Sequence, residues 1–72
     1  MNDITIIIKD LEDRVAQLKN ELRRIKSTIN KLEKLALLPP TELIVKKEKV
    51  EVNLKEFKQK LKALKKVVQL LD

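Results

Sequence analysis

Few residues in this chain could do covalent chemistry, and those few lack partners. Ser27 is the sole serine, and with no histidine anywhere the usual proton acceptor for a nucleophilic hydroxyl is missing. No cysteine means no thiolate and no disulfide, and the joint absence of Cys and His removes the common ligand sets for zinc, iron and copper. Glu48 and Glu51 would share one helix face, but carboxylates spaced so among lysines are far more often solvating charges than metal ligands. The chain also has no glycine, so a glycine-rich loop that cradles phosphate cannot form. These residues predict no enzyme, no metal site and no cofactor.

Positive charge is what the sequence does supply. Seventeen Lys plus Arg against eleven Asp plus Glu give a formal charge of +6, enough to attract polyanions or an acidic surface. Lys55, Lys58, Lys62 and Lys65 follow a three-four spacing that makes one ridge on a helix, and Lys19, Arg23 and Lys26 are expected on the same side of the fold. Such a ridge could bind a phosphate backbone, since each neutralised phosphate releases counterions. The only aromatic residue, Phe57, falls on an apolar seam, so base stacking has no candidate. Any nucleic acid would be recognised by backbone and shape. A charge run on a coiled coil is, against this, most often its solvated face.

Ridges need helices to carry them. In the first arm, apolar residues recur at spacings of four and three through Ile4, Ile8, Leu11, Val15, Leu18, Leu22, Ile25, Ile29, Leu32 and Ala36, an unbroken heptad seam. The second arm repeats the pattern through Leu43, Lys47, Val50, Leu54, Phe57, Leu61, Leu64, Val68 and Leu71, with Lys47 its only polar member. Between them stand Pro39 and Pro40, the only prolines, which should stop a helix outright. The expected fold is therefore all-α: one domain over 1–72, an antiparallel two-helix coiled-coil hairpin with arms at about 4–37 and 42–71 and a Pro-Pro turn at 37–42.

Two boundaries admit another reading. Ile4 to Ile8 is a β-branched run and Asp10 could cap a helix that starts after it. Asn53 with Glu56 could likewise open a later second helix. Short β segments at 3–9 and 43–52 would then give a β-α-β-α order, although no Asn-Gly or Asp-Gly turn supports a hairpin there. In the preferred reading Asn2 or Asp3 caps the first helix and Thr41 the second.

Folding the arms about the prolines pairs Ile8 with Leu71, Val15 with Leu64, Leu22 with Phe57, Ile25 with Leu54, Ile29 with Val50, Leu32 with Lys47 and Ala36 with Leu43. Glu12 then faces Lys65, Lys26 faces Glu51 and Glu21 faces Lys60, while Lys19 against Lys58 is repulsive. Lys47 would lay its stem over the seam and send its ammonium to water.

Seventy-two residues bury a small core, and apolar side chains remain off the seam in two groups: Ile6, Ile7, Val67 and Leu70 at the open end, beside the seam residue Ile4, and Leu35, Leu37, Leu38, Ile44 and Val45 near the turn. Self-association, a dimer first of all, would hide them in a four-helix bundle. The expected role is a non-enzymatic protein-protein interaction or adaptor module; the alternative is a small regulator that binds RNA or DNA backbone through the Lys55–Lys65 ridge. No apolar run is long enough to span a membrane and Met1 to Ile8 lacks the features of a signal peptide, so the cytoplasm is the expected compartment. The Lys, Glu, Ile and Leu-rich composition suits a thermophile or an AT-rich genome. In shape alone the hairpin is similar to plasmid and viral helical-hairpin proteins, including RNA-binding ones that dimerise into four-helix bundles. The helix, β segment, helix order of the other reading is similar to prefoldin subunits in miniature. Neither likeness carries a residue assignment.

Overall fold

The computed structural model describes residues 3–71, and it is a hairpin of two helices, α1 (Asp3–Lys34) and α2 (Thr41–Leu71). Among the described residues there is no strand: 3–9 and 43–52 are helical, and neither β segment forms. The β-branched run Ile4 to Ile8 continues the heptad seam, and packing along that seam outweighs the small helix penalty of branched side chains. Asp3 lies inside the first turn of α1, where a carboxylate favours the helix dipole, and Lys31 and Lys34 do the same at its other end. The expected cap at Asn2 falls outside the described residues.

Along their middle both seams are where the periodicity places them, but Leu71, expected to close the second seam against Ile8, is 68% exposed. Val15, Leu18, Ile25, Ile29, Val50 and Leu54 are buried, and Leu22, Leu43, Ile44, Phe57 and Leu61 pack against them half-buried. Each buried aliphatic side chain contributes roughly 1.5–3 kcal/mol. No described side chain is fully sealed from water.

The first helix does not run to the prolines. It stops at Lys34, and the chain leaves it through Ala36, whose φ of 58° lies in the left-handed region. Two hydrogen bonds complete a Schellman turn: the Leu37 N–H donates to the Leu32 carbonyl at 2.9 Å and the Ala36 N–H to the Glu33 carbonyl at 3.0 Å. Alanine in place of the usual glycine costs roughly 1–2 kcal/mol of backbone strain. Ala36 is thus exposed and has left the seam, contrary to its expected pairing with Leu43. On the far side, the Pro40 carbonyl accepts from the N–H groups of Leu43 and Ile44 at 3.0 and 3.3 Å, so Pro40 opens α2 and Thr41 is its first helical residue rather than its cap.

This earlier turn changes the register. Lys46 pairs with Glu21 at 3.7 Å and the Arg14 guanidinium stands 5.9 Å from the centroid of the Phe57 ring. In the pairing expected from the sequence, Lys46 would stand level with Glu33, roughly 18 Å along the axis from Glu21 at 1.5 Å per residue. A shift of about one heptad brings both contacts within reach, while the 3.6 Å contact of Lys65 with Glu12 is the pair expected without one. The core agrees, because Leu61 rather than Leu64 packs against the buried cluster. Heptad seams match equally well after a seven-residue slide, so seam periodicity alone could not choose between the two registers.

Candidate functional site

A coiled-coil hairpin has two long sides, each made of the rows that flank the seam, and here they differ. On one side α1 contributes Lys9, Lys19, Arg23 and Lys26, and α2 contributes Lys55, Lys58, Lys62 and Lys65, against only Glu12, Glu33, Glu48 and Glu51. On the other, Arg14, Arg24, Lys31, Lys46, Lys49 and Lys60 stand against Asp3, Asp10, Glu21, Glu42 and Glu56, which is near balance.

The basic side brings together the seven residues singled out from the sequence. Leu22 borders a shallow furrow walled by Lys19, Arg23 and Lys26, and also a second one walled by Lys55, Lys58 and Lys62. The first furrow lies on α1 and the second reaches across to α2, so Leu22 forms an apolar floor between two basic banks. A third hollow, with Lys58, Lys62, Lys65 and Lys66 around Leu61, extends this side toward the open end. Of the ridge, Lys65 is partly engaged, since Glu12 lies 3.6 Å from its ammonium as the sequence led one to expect. Lys26 and Glu51, expected to pair, do not.

The balanced side is organised by contacts that the sequence register missed. Glu21 takes Lys46, not Lys60, and Lys60 instead stands 5.5 Å from the Phe57 centroid, opposite the claim of Arg14 on the same ring. Two cations over one half-buried ring are worth about 0.5–1 kcal/mol each at an exposed site. Arg14, Gln17, Glu21, Lys46 and Asn53 line the hollow between the helices here. The signal was present in the sequence, but it became readable only once the register was known.

The apolar residues expected to drive association occupy the two ends. Ile6, Ile7, Val67 and Leu70 are exposed at the open end, and Leu35 and Leu38 at the turn, where Leu38 is 94% accessible. Ile4 and Ile44 are half-buried. None of the exposed large apolar residues falls in the rows of the basic side.

Lys47 is half-buried within the seam. Nowhere among the described residues do three or more potential metal-ligating side chains converge, and no described helix is long and apolar enough to cross a membrane. Comparison with known proteins adds no assignment: no protein-family model, curated protein or solved structure matches the chain.

Proposed function

We propose that this chain is a non-enzymatic interaction module that works as a self-associated helical hairpin, a dimer in the first instance, and acts as a small adaptor between protein partners. One observation carries the reading. The hairpin buries six apolar side chains, whereas Leu35, Leu38, Val67, Leu70 and several other large ones stay in water at its two ends. Exposed apolar groups of that kind mark interaction surfaces, and a second hairpin is the simplest cover for them. Sedimentation equilibrium across the micromolar range tests it: a dimer supports the proposal, and a chain that stays monomeric throughout overturns it.

A second reading is favoured by the two basic banks meeting at Leu22. In it the module binds the phosphate backbone of RNA or DNA, without base readout. Four to six neutralised phosphates imply a loss of affinity of about 10²–10³-fold between 50 and 200 mM salt. Titration of labelled duplexes at those two salts measures it, and no binding at the lower salt removes the reading.

A further inference from the structure

The outermost row of the balanced side carries a pattern that neither the core nor the hairpin register uses. Its outermost row on α1, one residue per heptad, reads Asp3, Asp10, Gln17, Arg24, Lys31. All five are exposed, and none of the four charged ones is in an ion pair. The row is self-complementary: reversed and laid against itself about Gln17, it sets Asp3 on Lys31 and Asp10 on Arg24. The next row inward, Ile7, Arg14, Glu21, Thr28, reverses about a point half a residue further along and sets Arg14 level with Glu21, although within the hairpin Glu21 already pairs with Lys46 and Arg14 stands over Phe57. The helix dipole accounts for Asp3 and Lys31 in the first and last turns, but its influence fades within a turn, and Asp10 and Arg24 lie deeper.

We infer that the second copy of the chain seats on this side, with α1 running antiparallel to the partner's α1 about a two-fold axis near Gln17. The inference rests on the self-association proposed above and adds the side and the orientation. The same operation brings the open end of each copy toward the turn end of the other, with Ile7 over Thr28. The opposite side cannot serve as well, since two copies of a surface with two basic residues for each acid repel one another. A side of 55 by 15 Å offers about 800 Å² per copy, the size of a standard stable interface. The basic side then faces outward on both copies. The matching rows of α2 show no such reversal, so orientation is set by α1.

Charge exchange tests the pairing. Asp10→Arg alone and Arg24→Asp alone should each weaken the dimer about tenfold, because each creates two repulsive contacts in place of two attractive ones. The double variant should restore it, and Lys58→Glu on the basic side should leave it unchanged. The chain has no cysteine, so Gln17→Cys should give a disulfide-linked dimer on mild oxidation if the axis passes there. A dimer indifferent to both single exchanges, or not rescued by the double one, overturns the interface while leaving self-association standing. A wild-type chain that is monomeric overturns both.

Discussion

The two sides of the hairpin share one seam and yet carry different surfaces. The seam asks only for apolar residues at alternating spacings of four and three, and both sides depend equally on Ile25, Ile29, Val50 and Leu54 beneath them. The flanking rows are free of that demand. On one side they have become lysine-rich, with Leu22 and Leu54 as an apolar floor between the basic banks. On the other they alternate in sign, bring Arg14 and Lys60 to 5.9 and 5.5 Å from the Phe57 ring centroid, and leave apolar residues at the ends uncovered. In a fold this thin the two surfaces can differ freely because the core does not depend on which charges flank it.

The sharpest way to break the comparison is to remove what the sides share. Ile25→Ala deletes one of the two most deeply buried side chains, 5% exposed, and should cost roughly 2–5 kcal/mol in urea unfolding. Association and polyanion binding should then fall together. A variant confined to one side should separate them. Changing Lys55, Lys58, Lys62 and Lys65 to Glu is expected to lower low-salt binding to duplex RNA or DNA by at least about 10²-fold, with the sedimentation behaviour unchanged. Binding that survives this change would mean that the basic side is only a solvated face.

Smaller effects refine the picture. Ala36→Gly relieves the left-handed strain and should raise the unfolding free energy by about 1 kcal/mol, read as a higher urea midpoint at constant slope. Lys46→Ala removes an exposed ion pair of 3.7 Å on the balanced side and should cost only about 0.2–1 kcal/mol. A larger loss would show that Glu21 and Lys46 hold the register.

How much of this could be read from the residues follows from what each signal is able to decide. A heptad seam says that two helices pack and which residues they bury, and Val15, Leu18, Ile25, Ile29, Val50 and Leu54 were all on it. It also outweighs local preference, which is why the isoleucines from Ile4 to Ile8 are helical. It cannot say where a slide of one heptad stops. That was decided by the exit at Ala36, a left-handed alanine where glycine is the usual signal, and nothing in the residue type announces it. The basic ridge was legible because charge and spacing on one helix suffice for it. Partners across the hairpin depend on the register, and of these Glu12 with Lys65 was read correctly while Glu21 with Lys60 was not, since Glu21 takes Lys46.

The turn at Ala36 has a mechanical meaning. Two rods with notches every seven residues can mesh at more than one setting, and a hairpin with such rods is a slide with detents. The Schellman turn is the catch that holds the slide at one detent, because continuing α1 toward Pro39 would carry the crossing point outward and move the rods to the next. Stiffening the catch with glycine fixes the length at which the two ends of the molecule present their apolar residues, while a branched residue at position 36, which resists the left-handed conformation, is expected to release it.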